Sequence, residues 1–306
     1  MIGPRPRRIN YQPFRLFMTS EVMEQRQQIH YNEAMDNRTL ATGTSAHVGS
    51  LLREWRIARR LSQLDLALTA DISARHLSYV ENGKAQPSRE MIARLSESLE
   101  VPLRERNTLF VAGGFAPKFP ETGLDAPKLA QMRYAVEAML AQQEPYPAFL
   151  LNRHWDVVMA NDAAKRVNRF MLDGRDSKHG NLLRQIFDPT DLRQALDNWE
   201  EIAGSLLRHL HNEVAASPSD AKARALLDEM LAYPGVPAHW RHRELGSAPA
   251  PVLTTSFNHR GVKISFFSTV TTFGTPRDVT LDELHVESCF PADEQTAAFC
   301  RKLLDS

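Results

Sequence analysis

The stretch LSQLDLALTADISARHLSYVENG, residues 61–83, restricts the fold more than any other part of the chain. Ser62 precedes Gln63-Leu64-Asp65-Leu66-Ala67 and an acid follows three residues on, a capping box with Asp in place of Glu. Ser73 stands in the same way ahead of ARHLSYVE, and Asn82-Gly83 is a helix stop. The spacing predicts two short helices joined by a turn. Leu64, Leu66 or Ala67, and Leu68 are expected to bury one face of the first helix, and Ile72, Leu77 and Val80 one face of the second. Helices packed in this way cross steeply and turn Ser73, Ala74, Arg75, His76, Ser78 and Tyr79 outward, and several of these side chains are long and polar enough that they can reach base edges.

Further helical segments flank this pair. GSLLREWRIARR places Leu51, Leu52, Trp55 and Ala58 at helical spacing. Ser88, after Pro87, caps REMIARLSESL, and Pro102 opens a last helix through Leu109 to Val111 that stops at Gly113-Gly114. Residues 47–115 therefore read as an all-α bundle of five short helices.

This segment resembles the Xre/phage-repressor class of helix-turn-helix DNA-binding domains. The resemblance is carried by Leu61-Ser62-Gln63, Leu66-Ala67, Ile72-Ser73, Leu77-Ser78 and Glu81-Asn82-Gly83. The turn departs from the pattern: Asp71 stands where Gly is usual, and Asp tolerates the left-handed conformation better than most residues. The resemblance implies that Gln63, Ser73 and Asn82 bond DNA phosphates, and that Lys84 and Arg89 add phosphate contacts. It implies that Ala74, Arg75 and Tyr79 face bases, with Arg75 suited to the O6/N7 pair of a guanine. Glu81 reads as structural. The implied partner is a double-stranded DNA operator, bound by a homodimer.

Charge is consistent with a local basic face only. The chain has 306 residues with 37 Lys+Arg and 37 Asp+Glu, so it is no general nucleic-acid coat. Residues 1–46 hold six arginines against four acids, residues 47–115 ten basic residues against eight, and residues 116–306 are net acidic. Two cysteines exclude a disulfide scaffold or a multi-Cys metal cluster. No run of apolar residues is long enough to cross a membrane, and no secretory core stands at the start, so a cytoplasmic protein is expected. Residues 1–46 read as a flexible arm, with Met23 and Met35 as alternative starts. Residues 116–143 read as a Pro-rich linker and a connecting helix, LAQMRYAVEAMLAQQ.

Residues 144–306 change character. PYPAFLLNRHWDVVMAND reads as two strands about a turn at Arg153-His154, followed by a helix capped at Asn161 or Asp162. A long helix is expected from Asp191 to about Ala215, another capped by Ser219, and a short one capped by Thr280. VLTTSF, VKISFFSTVTTF and ELHVESCFP read as strands, so the domain is α+β with an antiparallel sheet.

These residues resemble the MmyB-like regulators, whose C-terminal half is a PAS-like ligand-binding domain. The resemblance rests on PAFLLNRHWDVVMAND, NLLRQIFDP, DEMLAY and TTFGTPRDVTLDELHVESCFPADEQT. It implies binding of a small apolar ligand, a fatty acid by class. From the residues themselves, Phe149, Leu151, Val157, Met159, Ile264, Phe266 and Val270 alternate along strands and are candidates to line one inner face, or to form an ordinary closed core. Arg153, His154, Asn161 and Arg260 are candidate polar anchors. No GxSxG, P-loop, GxGxxG or HExxH sequence is present, and no metal or cofactor is expected. The chain thus reads as a regulator rather than an enzyme. The alternative is a DNA-binding protein whose second domain only dimerises.

Overall fold

The computed structural model describes residues 47–217, 220–242 and 252–304. The expected N-terminal arm and the expected cap Ser219 lie outside them.

Local capping sets the first four helices. In α1 (Val48–Ala58) the ring of His47 accepts the Gly49 amide at 3.0 Å. In α2 (Gln63–Thr69) the Ser62 hydroxyl accepts the Asp65 amide and the Asp65 carboxylate accepts the Ser62 amide, both at 3.1 Å. Ser73 and Ser88 cap α3 (Ala74–Glu81) and α4 (Arg89–Ser98) through the amides three residues on. α5 (Leu103–Ala112) ends at Gly113, and Gly114 takes a φ of +83°. Asp71 does adopt the left-handed conformation in the α2–α3 turn, at φ +51°.

Leu52, Trp55, Leu66, Leu77, Val80, Ile92, Leu95, Leu109 and Phe110 form one core. The expected face of α2 needs correction. Leu66, Ala67 and Ala70 point inward, whereas Leu64 and Leu68 are 59 % and 72 % exposed. A seven-residue helix has room for only one narrow buried stripe, and the pair spaced i, i+4 at 64 and 68 lies beside it.

A 3₁₀ turn (Pro127–Leu129) leads into α6 (Ala130–Gln142) and then into an α+β domain. Its sheet contains β1 (Ala148–Leu151), β2 (Val157–Ala160), β3 (Thr254–His259), β4 (Val262–Thr272) and β5 (His285–Pro291). The strand order is β2-β1-β5-β4-β3, antiparallel throughout. On the back, Val136 and Leu140 of α6 pack on Ala148, Leu150, Leu284 and Val286. The front is covered by α7 (Asp162–Met171), α8 (Leu182–Phe187), α9 (Trp199–Ala216), α10 (Ala221–Ala232) and α12 (Glu294–Leu304). The short α11 (Val279–Asp282) precedes β5.

Three expected helix details change. The long helix breaks into a 3₁₀ turn (Leu192–Ala195) and α9, because the chain between them joins β3. There the Asp197 amide donates to the Ser256 carbonyl at 2.8 Å, and Asn198 bonds the Ser256 amide and the Thr254 carbonyl at 3.0 and 2.8 Å. Asp220 caps α10 by accepting the Lys222 and Ala223 amides. Asp278, not Thr280, caps α11, and Thr280 lies inside it.

Candidate DNA-binding surface and ligand cleft

Three side chains from α1, α2 and α3 fix the outward helix. Glu81 is buried and accepts Arg56 Nε at 2.7 Å and Nη2 at 2.8 Å, while the third guanidinium nitrogen bonds the Leu61 carbonyl at 2.8 Å. Gln63 Nε2 donates to the same carboxylate at 2.8 Å. A buried carboxylate is tolerated only when its oxygens are matched in this way. Close approach of α1 to α3 depends on Gly49, where an added Cβ would lie 1.9 Å from the Val80 carbonyl oxygen.

On the outer side of α3, Ser73, Arg75, His76 and Tyr79 are exposed and Ser78 is half-buried. Arg75 Nε donates to the Tyr79 hydroxyl at 3.2 Å, with the guanidinium 5.5 Å from the ring centroid. Such stacking holds a flexible cation in an extended pose. Asn82 donates to the Ser78 carbonyl at 2.7 Å, Lys84 is exposed, and Arg89 lies over the Phe110 ring at 5.7 Å. Gln63 stands at the start of α2 with its amide nitrogen committed to Glu81. Ala74 is half-buried against the core, so the expected outward position holds for it only in part.

The N-terminal bundle docks on α11. The Leu103 amide donates to Asp282 at 2.9 Å, and Arg104 binds Glu283 through Nε at 2.6 Å and Nη2 at 3.0 Å. The Val279 amide donates to the Pro120 carbonyl at 2.8 Å. Glu283 also accepts Arg153 at 2.8 Å, and Arg153 with His154 holds Asp220, the cap of α10.

The expected anchors serve other purposes. Arg153 and His154 belong to this ion-pair chain. Asn161 caps α7 and bonds the Ala148 amide, and Arg260 pairs with Asp173. Phe149, Leu151, Val157, Ile264 and Phe266 do share the front face. Met159 does not, and the expected single face is corrected there. It pairs with Leu150 and packs on the back, because β2 carries one extra residue between Met159 and Val157. Such a bulge switches the face of every later side chain. Val270 points to the front by register but is 62 % exposed.

Near Val270 the front face stays open. Glu287, His285 and Cys289 of β5 are half-buried, and so are Leu206, Val214, Leu253 and Trp240, which pack against the front core. Trp155 Nε1 donates to Glu213 at 3.3 Å, and His209 lies 3.2 Å from the other Glu213 oxygen. The Trp155 ring meets the edges of His209 and His285. Burial pushes the His285 imidazole down and the Glu287 carboxyl up, with a Ser268 hydrogen bond opposing the latter. Burial also pushes the Cys289 thiol up to about 12, which keeps it protonated and unreactive.

A helix-turn-helix family model matches residues 52–106, and the MmyB-like transcription regulator ligand binding domain matches residues 132–303, more than half of the chain. The chain belongs to the MmyB-like transcription regulators. It is also 32 % identical over 117 residues to the uncharacterized HTH-type transcriptional regulator RghRB of Bacillus subtilis (strain 168), covering 37 % of this chain and 81 % of that protein. This MmyB-like regulator is therefore a DNA-binding transcription regulator with a ligand-binding domain. The α2–α3 pair lies within the first match and the five-stranded sheet within the second. Among the described residues no group of three or more His, Cys, Asp or Glu is placed to hold a metal ion, and no helix is long and apolar enough to cross a membrane. Arg56, Gly49, Glu283 and Glu287 escaped the sequence reading, since each acts on residues far away in the chain.

Proposed function

We propose that this regulator works in the cytoplasm, binds a specific operator as a homodimer through α3, and responds to a small apolar ligand held by the C-terminal domain. The observation that carries the DNA reading is the Arg75–Tyr79 pair, exposed on a helix whose far end is fixed by Glu81. Arg75 reads a guanine, with Ala74 and Tyr79 beside it, while Gln63, Ser73, Asn82, Lys84 and Arg89 contact phosphates. A single recognition helix spans few base pairs, which favours a dimer on a two-fold operator. A ligand shifts the DNA-competent population only if it binds the two states unequally. A fatty acid, the class implied by the resemblance, supplies a suitable apolar tail.

The test is selection of an operator from a random duplex library, followed by titration of variants. Arg75→Ala is expected to lose about 1–3 kcal/mol on the selected site and to relax one base position. Arg89→Ala is expected to weaken all sequences alike. Unchanged affinity of Arg75→Ala overturns the base-reading role. The enclosure of Leu151 and Ile264, each with no exposed surface, favours a second reading in which the C-terminal domain is a ligand-free dimerisation module. Native mass spectrometry separates the two: a small molecule released on unfolding supports the sensor.

A further inference from the structure

The apolar clusters of the described residues stop at the junction of the two domains. That of the N-terminal bundle ends at Phe119, and those of the sheet domain begin at Leu124. At the junction a cleft of about 550 Å³ stays open, walled by Leu51 of α1, Val111 of α5, Pro117 and Val279 of α11. The seating of α5 on α11 is carried by polar groups: the Leu103 amide on Asp282, and Arg104 on Glu283. An interface of this kind opens locally at the cost of a few hydrogen bonds.

The charges at the seat are shared. Glu283 Oε1 accepts Arg104 Nε at 2.6 Å and Arg153 Nη1 at 2.8 Å. Arg104 also holds Glu121 of the linker, at 2.5 and 3.0 Å. Arg153 also holds Asp220, which caps α10 and which His154 Nε2 meets at 3.0 Å. α10 in turn sends Leu226, Leu227 and Met230 into the front core. One carboxylate is thus bound both by an arginine of the bundle and by the arginine that holds α10. When Asp220 leaves, the freed half of the Arg153 guanidinium turns to Glu283, since a guanidinium matches a carboxylate best through two nitrogens. Arg104 then keeps Glu121. Neither arginine is stranded in either arrangement, so the large penalty for an unpaired buried charge does not lock the chain in one of them. We propose that Glu283 is a latch with two positions: displacement of the α10 cap hands Glu283 from Arg104 to Arg153 and unseats the DNA-binding bundle. Only the use of this latch by a ligand rests on the reading above; the exchange of partners stands or falls without one.

Hydrogen exchange of the full chain tests the latch, read at the Leu103 amide, which Asp282 holds at 2.9 Å. Asp220→Asn keeps a side-chain oxygen for the Lys222 and Ala223 amides and removes the charge that holds Arg153. Leu103 is expected to exchange at least about tenfold faster in this variant, the order of one hydrogen bond to a charged group, with the amides of β1 and β5 unchanged. Adding Arg153→Met removes the competitor for Glu283, so the double variant is expected to return Leu103 to its original rate. Arg153→Met alone is expected to leave Leu103 at least as protected as in the unsubstituted protein. Unchanged exchange at Leu103 in Asp220→Asn overturns the proposal. So does a double variant that exchanges as fast as Asp220→Asn, the result expected if α10 merely loosens its surroundings. Where Asp220→Asn exposes the sheet amides as well, Arg153→Met decides by itself: faster exchange at Leu103 overturns the proposal, and equal or slower exchange supports it.

Discussion

Removing the Glu81 side chain tests the account of the DNA-binding surface most severely. Glu81 accepts three hydrogen bonds of 2.7–2.8 Å, two from Arg56 and one from Gln63. Its side chain is 1 % exposed and that of Arg56 12 %. Glu81→Ala leaves a buried guanidinium with the Leu61 carbonyl as its remaining hydrogen-bond partner. Breaking one half of a buried ion pair costs about 3–5 kcal/mol. In a bundle of this size each kcal/mol is worth roughly 4–8 °C, so the N-terminal domain should melt at least about 12 °C earlier. The assay is thermal unfolding followed by circular dichroism, read beside operator affinity. Replacing both partners, Arg56→Met with Glu81→Leu, removes the stranded charge and should return stability to within about 1 kcal/mol of the original. Operator affinity should stay reduced in that double variant, because Gln63 has lost its acceptor. A melting point for Glu81→Ala within a few degrees of the unsubstituted protein would refute the reasoning, as would a double variant no more stable than the single one.

Gly49→Ala should destabilise the bundle by about 1–3 kcal/mol in the same assay, since the new methyl meets the Val80 carbonyl rather than a flexible side chain. Asp71→Val should cost about 1–2 kcal/mol, because a β-branched residue resists a φ of +51°. Glu283→Ala should speed hydrogen exchange at the start of α5 while leaving the sheet amides unchanged, because Arg104 loses two of its bonds to the second domain. Asp188 is held well below the usual carboxylate range, first by His179 and then by Thr190. A depressed folded-state pKa stabilises above the unfolded value and is lost as pH falls toward the folded one. Urea titrations should therefore show Asp188→Asn at a disadvantage near neutrality that narrows as the solution is acidified below about pH 4.

The parts of the molecule legible in the sequence are those built from neighbours in the chain. Ser62, Ser73 and Ser88 cap through amides three residues away, so their roles show in the pattern. The exposure of Leu64 and Leu68 does not show there, because this two-turn helix carries a second apolar pair beside the one stripe that the core buries. The break at Asn198 was hidden since its partners, Thr254 and Ser256, lie 56 and 58 residues on. Met159 was misplaced by a bulge that alternation alone does not reveal. The outward residues of α3 were readable because a short helix with three buried positions, Leu77, Val80 and Glu81, leaves the opposite side little choice. Glu287 was not readable: in sequence it is one acid in a strand, and only the pairing with Phe149 and Val270 places it on the front face.

The Arg104–Glu283 contact has a consequence for how such proteins are recombined. Glu283 lies two residues before β5 yet holds the first turn of α5, while Arg153 shares its carboxylate. A chimera that joins this N-terminal bundle to a foreign ligand domain inherits half of an ion-pair chain. To keep the two halves seated, positions 104, 153 and 283 have to travel as one unit, although 179 residues separate the first from the last. The natural seam for exchange is therefore a surface and not a point along the linker.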